Sequence, residues 1–408
     1  MFSATRRSLL RGAGLGSLFS AWPWNKLGAA STKLDLKPGR LYAELGIRPL
    51  INLVGTHTTI GASKIWPDIH DAMAEASRDY IVLEELQEKV GERIAALMGA
   101  PAAMVTSGCA GAISIGTCAA LAGDDPAKIK RLPDLTGMKT EVIIQKVHRN
   151  GYDHAVRNAG VKIVEVSSLE ELERAAGSNT AMLYFLGGTS HDYDVVTPIS
   201  LEDCLKVAHR TGFPVMVDAA NMLPPWENLR KLAAMKVDMI CVSGGKHMRG
   251  PQCSGILAGR KDLVRAAWLN SSPHSDSLGR PMKVGREEVV GAWLAAERYA
   301  KLDFDEVDRQ SAQQADFLIS QCRKIKGLSA EKTPFDRTRR VHRVHVTWDE
   351  NALGLTTAQV TQQLRDGEPR IAVGRGRKQG IEMTVFMNDP GDEKIAARRL
   401  KEIFSRKA

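Results

Sequence analysis

Between residues 100 and 245 the chain repeats one pattern: a short apolar run, a polar or glycine-containing break, then an amphipathic segment of helical period. The runs are Ala103–Thr106, Val142–Gln145, Lys162–Val166, Met182–Leu186, Val215–Val217 and Met239–Val242. Between several of them lie Leu169–Ala176, Leu201–Thr211 and Leu229–Met235, which carry apolar residues at helical spacing. Strands that are apolar on both faces must be covered on both faces, and a parallel neighbour requires a crossover long enough for a helix. The alternation therefore predicts an α/β chain built on a mostly parallel sheet between two helical layers. Upstream, Pro67–Ser77 and Leu83–Met98 read as helices, the second with Leu86, Val90, Ile94 and Leu97 on one face and Gly99 as its stop. After about residue 300 the rhythm changes. A long helical pattern over Phe304–Ile325, a strand-like run His342–Trp348, a helix at Thr356–Arg365, two more strand-like runs and a basic terminal helix predict a smaller α+β domain. The expected organisation is a leader over 1–30, an N-terminal arm over 31–66, a large domain over 67–300 and a small domain over 301–408.

The first thirty residues are set apart by charge. They hold Arg6, Arg7, Arg11 and Lys26 and no acid. Thr5-Arg6-Arg7-Ser8-Leu9-Leu10 has the look of a twin-arginine export signal, followed by a weakly apolar stretch from Gly12 to Trp24 and the small residues Gly28-Ala29-Ala30. The apolar stretch is too short and too rich in glycine to span a bilayer. Twin-arginine export carries proteins already folded, often with a cofactor inserted, so the expectation is a periplasmic protein that engages that machinery. The whole chain has a formal net charge of +9; setting the four leader cations aside leaves 52 basic against 47 acidic residues, or +5, scattered along the chain. That is no nucleic-acid footprint. No pair among Cys109, Cys118, Cys204, Cys241, Cys253 and Cys322 has CxxC spacing, so zinc and thiol-redox motifs are unsupported.

In open α/β sheets ligands sit beyond the carboxyl ends of the strands, and three strand ends carry chemistry here. Asp218 follows Val215–Val217, where a buried carboxylate needs a cationic partner to stay charged. Lys246 stands 28 residues on, in Ser243-Gly244-Gly245-Lys246-His247 after the next apolar run. In a partly desolvated cleft the lysine amine loses basicity and becomes able to form an imine, while the two glycines allow close approach to a bound ring. Ser107-Gly108-Cys109 joins a strand to a helix of small residues, where backbone N–H groups and the helix dipole suit a phosphate. Together these three describe a pyridoxal 5'-phosphate (PLP) site: aspartate for the pyridine nitrogen, lysine for the aldehyde, a helix start for the phosphate. His148, in His148-Arg149-Asn150-Gly151-Tyr152-Asp153-His154, is a candidate to stack on the ring, with Tyr152 and His154 as competitors.

The chain resembles the fold-type-I, aminotransferase-like PLP enzymes, and within them the family around selenocysteine synthase and D-glucosaminate-6-phosphate ammonia-lyase. The resemblance runs from about Leu41 to the C-terminus and rests on Ile51-Asn52-Leu53-Val54-Gly55-Thr56, Glu84-Glu85-Leu86-Gln87, Val105-Thr106-Ser107-Gly108, Val217-Asp218-Ala219-Ala220, and Ser243-Gly244-Gly245-Lys246 through Gly250-Pro251-Gln252. It implies a seven-stranded, mostly parallel sheet in the large domain and a homodimer or higher homo-oligomer with active sites near the subunit interface. It further implies that Lys246 carries PLP, that Asp218 pairs with the pyridine nitrogen, and that Ser107, Gly108, Cys109 and Ser243 hold the phosphate. The reaction implied is α,β-elimination by a lyase acting on a small amino acid or amino sugar acid, with Lys246 as the base for the Cα proton. Racemisation or aldol cleavage would use the same carbanion, and an exported binding protein that kept the fold without catalysis is the alternative of another class. A charged tRNA substrate does not suit a periplasmic protein, and no nucleic-acid partner or stable membrane insertion is expected. Arg370, Arg375 and Arg377 are candidates for the substrate carboxylate, because guanidinium forks match that group.

Overall fold

The computed structural model describes residue 39 and residues 41–188, 197–335, 339–376, 379–386 and 388–405. The twin-arginine stretch lies outside these, as does Arg377. The described residues up to 49 belong to one unit, in which Leu41–Glu44 is a short helix, and those from 50 onward belong to another.

Twelve strands occur in chain order: β1 Leu50–Leu53, β2 Ala102–Ser107, β3 Glu141–Gln145, β4 Lys162–Val166, β5 Thr180–Leu186, β6 Val215–Asp218, β7 Met239–Ser243, β8 Ser254–Gly259, β9 Leu328–Lys332, β10 Arg343–Trp348, β11 Arg370–Arg375 and β12 Ile381–Thr384. Seven of them make a sheet ordered β2-β8-β7-β6-β5-β3-β4. All its pairings are parallel except those of β8, which runs antiparallel to both β2 and β7. The reversal follows from the connection: residues 244–253 between β7 and β8 are too few for a helical crossover, so the chain must return antiparallel. This strand, Ser-Gly-Ile-Leu-Ala-Gly, is absent from the six apolar runs because glycines interrupt it near both ends. Gly255 cannot be anything larger, since a Cβ there would lie 2.3 Å from the carbonyl carbon of Gly108.

Each sheet face has its own core. One is filled by the helices Leu83–Met98, Leu201–Thr211, Glu227–Ala234 and Arg286–Ala300, the other by Gly108–Ala122, Pro126–Arg131 and Lys261–Leu269. Gly108–Ala122 is apolar all round, with twelve of fifteen residues buried, as a helix inside a core must be. Its small residues let it lie close to the sheet: a Cβ on Gly116 would meet the Met216 methyl at 2.5 Å.

The remaining strands form a five-stranded sheet, β1-β11-β12-β10-β9, with β1 parallel to β11 and the rest antiparallel. It has a third core beneath Phe304–Cys322 and Asp392–Ser405. Its edge strand comes from residues 50–53, far upstream of residue 301. The four residues Leu-Ile-Asn-Leu are too short to announce a strand, and a pairing across some 320 positions leaves no local trace in the sequence. No helix among the described residues is long and apolar enough to cross a membrane.

Candidate functional site

The carboxyl ends of β2, β3, β5, β6 and β7 face the same edge of the sheet, and the residues singled out at those ends are the material of the site. Asp218 closes β6 and is 5% exposed. Its Oδ2 accepts a hydrogen bond from the Tyr184 hydroxyl at 2.8 Å, and its Oδ1 accepts from the Ala220 N–H at 3.0 Å and the Cys109 thiol at 3.4 Å. No described lysine or arginine lies within ion-pair distance of it. A buried carboxylate with neutral donors alone is costly unless a cation completes it.

Lys246 lies in the turn after β7, half-buried, with Nζ donating to Asn221 Oδ1 at 3.3 Å. Burial holds its pKa below the usual lysine range, although Cys109 and Asp218 pull the other way. The turn exists because its glycines have no Cβ: one on Gly244 would fall 2.2 Å from Ser254 Oγ, and one on Gly245 would fall 2.4 Å from the Gln252 Cα. Both serve close packing, and neither takes a positive φ. The upstream segment braces this turn, Ser63 Oγ donating to the Gly245 carbonyl at 2.7 Å and Trp66 Nε1 to the Met248 carbonyl at 3.1 Å.

Ser107 is the last residue of β2 and precedes the helix Gly108–Ala122; its hydroxyl makes no capping bond, and Gly108 takes φ +69°. Ser243 ends β7. These two serines pair with Ser254 and Gly255 of the intervening β8, which places them about 10 Å apart, two strand spacings. The helix start thus offers its backbone N–H groups between two hydroxyl-bearing strand ends. Cys109 departs from expectation in one respect: its thiol points to Asp218, so what it has left for a phosphate is its main-chain N–H.

His148 is buried and sits after β3, but its contacts are with neither Lys246 nor Asp218. Its ring lies edge-on to Phe185 with centroids 4.5 Å apart, Nδ1 accepts from the Leu186 N–H at 3.3 Å, and Nε2 is 3.4 Å from Thr197 Oγ1. The neutral ring therefore carries its proton on Nε2. Burial lowers its pKa to about 4 from an ordinary 6.5. The stability this group adds is complete above pH 6.5 and is lost as pH falls toward 4; in all it amounts to about 3 kcal/mol, of which about 2 is gone by pH 5. Urea unfolding at pH 7.5 and 5 should show that loss in the wild type and a smaller one in His148→Gln. Tyr152 is exposed, and His154 begins the short helix His154–Arg157 beside Arg157.

Two residues that the sequence did not flag complete the group. Asn221, three positions after Asp218, accepts from both Lys246 Nζ and Arg339 Nη1, the latter at 3.4 Å. Arg339 is 6% exposed although it stands in a basic run, Arg339-Arg340, before β10. Of the expected arginines, Arg370 donates to the Arg365 carbonyl at 2.9 Å, and Arg375 lies exposed at the end of β11 in a cleft with Asp349, Glu350 and Gln379. Neither is in bonding contact with Lys246, Asn221 or Asp218. Basic runs in loops look alike in sequence; burial singles out Arg339.

A desolvated lysine, a buried carboxylate lacking a cation and a helix start between two serines fit an aldehyde, a protonated pyridine and a phosphate respectively, which are the three attachment points of PLP. Comparison with known proteins agrees. Residues 77–271 match the family model of Cys/Met metabolism PLP-dependent enzymes. The chain is 31% identical over 377 residues to the D-glucosaminate-6-phosphate ammonia lyase of Salmonella typhimurium (strain 14028s / SGSC 2262), covering 89% of this chain and 97% of that protein. It is 29% identical over 374 residues to the 5'-C-glycyluridine monooxygenase-decarboxylase of a Streptomyces species, covering 89% and 91%. A solved structure of D-glucosaminate-6-phosphate ammonia-lyase superposes with a TM-score of 0.79 at 30% identity, over 91% of this chain and 100% of that one. Fold and site together define a fold-type-I PLP-dependent enzyme. Within that class the chain belongs to the family of the D-glucosaminate-6-phosphate ammonia lyases.

Proposed function

We propose that this protein is a PLP-dependent lyase that eliminates across Cα and Cβ of a small amino acid or amino sugar acid, releasing a 2-oxo acid and ammonia. Similarity to an ammonia lyase along nearly that protein's whole length carries the reading of the reaction. Bound PLP supplies the electron sink for the carbanion at Cα. Lys246 holds the cofactor and, once its amine is free, takes the Cα proton; burial keeps that amine less basic than a solvated lysine and readier to act as a base. Overall, the Cα proton and the Cβ hydroxyl would be lost together as water, and hydrolysis of the released enamine would give the oxo acid and ammonia. Asp218 pairs with the pyridine nitrogen, while the N–H groups at Gly108 and Cys109 and the hydroxyls of Ser107 and Ser243 take the phosphate. Arg339, held beside Lys246 through Asn221, binds the substrate carboxylate. His148 supports the ring from the end of β3.

The test is a screen of the PLP-loaded protein against D- and L-hydroxyamino acids and 2-amino sugar acids, measuring ammonia and 2-oxo acid together. Equal release of both supports elimination. Exchange of Cα–H with solvent deuterium and inversion without ammonia would identify a racemase, and glycine release an aldolase.

Export and assembly belong to the same proposal. The Arg6-Arg7 pair and the stretch that follows support twin-arginine export to the periplasm. Retention of an Arg6→Lys, Arg7→Lys double variant in the cytoplasm is the expected result; unchanged export contradicts it. The exposed run Tyr80-Ile81-Val82, with Tyr80 98% exposed, supports a covered face in a homodimer, to be read from light-scattering mass.

A further inference from the structure

Asp218 is held by more than its place at the end of β6. Tyr184 lies in the middle of β5 and pairs with Met216, two residues before Asp218, so its side chain stands on the same face of the sheet as the carboxylate. The tyrosine is fully buried, and the one polar atom of its side chain reaches Asp218 Oδ2 at 2.8 Å. On the other oxygen the Cys109 thiol and the Ala220 N–H both donate. Cys241, opposite Asp218 on β7, is a second buried thiol on the same face of the sheet. A carboxylate accepts at about four lone-pair positions, and three are used. Both oxygens are tethered, so the group cannot rotate, and one acceptor position is left.

We propose that Tyr184 is a positioning residue for the cofactor: with Cys109 it fixes the Asp218 carboxylate in one rotation and supplies it with neutral donors, so that the proton of the Asp218–pyridine pair resides on the ring nitrogen. The proposal rests on the PLP reading of the site. Hydrogen bonds donated to a carboxylate favour its charged form. Removing a donor makes the carboxylate compete better for the shared proton, and the ring then loses part of the positive charge that makes it an electron sink. The phenol is suited to donate throughout the working range, because burial and the neighbouring Asp218 carboxylate push its own ionisation far up. A core tyrosine there for packing alone would serve as well without its hydroxyl, as phenylalanine does.

The experiment loads wild type, Tyr184→Phe, Cys109→Ala and Cys109→Ser with PLP labelled with 15N in the ring, and measures the 15N shift across pH together with the PLP dissociation constant. Wild type is expected to show a protonated nitrogen. Tyr184→Phe is expected to move the shift toward the neutral-pyridine value and to weaken PLP binding on the order of tenfold, the size expected for losing one hydrogen bond to a charged group. Cys109→Ala should move the shift the same way by less, and Cys109→Ser, which keeps a donor, should restore it. A 15N shift and dissociation constant unchanged in both Tyr184→Phe and Cys109→Ala, with thermal stability alone reduced, would overturn the proposal while leaving the PLP site intact. Should Tyr184→Phe fail to fold, the two Cys109 variants decide by the same criterion. Absence of PLP binding in the wild type would instead remove the reading on which it rests.

Discussion

Asp218→Asn is expected to lower kcat/KM on the order of 1,000-fold while leaving PLP bound. The substitution keeps the shape of the side chain and its backbone contact with Ala220, but it removes the charge proposed to pair with the pyridine nitrogen. Preorganised charge aimed at a site where charge develops is typically worth a factor of 100 to about 1,000 in rate, and the upper end applies here because the carboxylate is buried and shielded from water. The loss should fall on kcat rather than KM, since Asp218 is proposed to pair with the cofactor and not with the substrate. A loss below tenfold, with the cofactor still bound, would contradict the role given to Asp218. Steady-state ammonia release, with the 15N shift of the bound cofactor as a control, separates the outcomes.

Lys246→Ala is expected to cost on the order of 10,000-fold in turnover, the upper range for removing a general base. Two proposed functions would vanish with one side chain: the covalent attachment of PLP and the acceptor for the Cα proton. Lys246 Nζ has Asn221 Oδ1 within hydrogen-bond reach, and Arg339 shares that oxygen, so the variant should also loosen the arginine proposed to bind the substrate carboxylate. Small primary amines added to the variant should restore part of the rate by supplying a proton acceptor in the space left. Lys246→Arg should not, because a guanidinium stays protonated at any working pH. Turnover within tenfold of wild type in Lys246→Ala would place the base elsewhere.

Much of this site can be read from the sequence because its parts lie at strand ends, and strands that are apolar throughout are easy to find. Asp218 closes β6 and Lys246 follows the next parallel strand, β7, so sequence order and spatial order coincide. Ser107 comes from a strand far upstream, yet the glycine-rich start of its helix marks it. What stayed hidden depends on long-range packing. Tyr184 reads as one more apolar residue in Thr180–Leu186, and only the pairing of β5 with β6 shows its hydroxyl turned to Asp218. Arg339 is one cation in a basic stretch, and its burial beside Asn221 is a long-range contact that leaves no local trace. The strand β1 is four residues whose partner lies near the other end of the chain. For His148 the position after β3 was legible, while the hydrogen bonds at its two ring nitrogens were not.

Everything proposed for this site depends on Lys246 carrying the cofactor. The direct measurement is borohydride reduction of the PLP-loaded wild-type protein and of Lys246→Ala, followed by peptide mapping by mass spectrometry. A pyridoxyl group is expected on the peptide containing Lys246 and on no lysine of the variant. An adduct on another lysine, or none in wild type supplied with PLP, would contradict it.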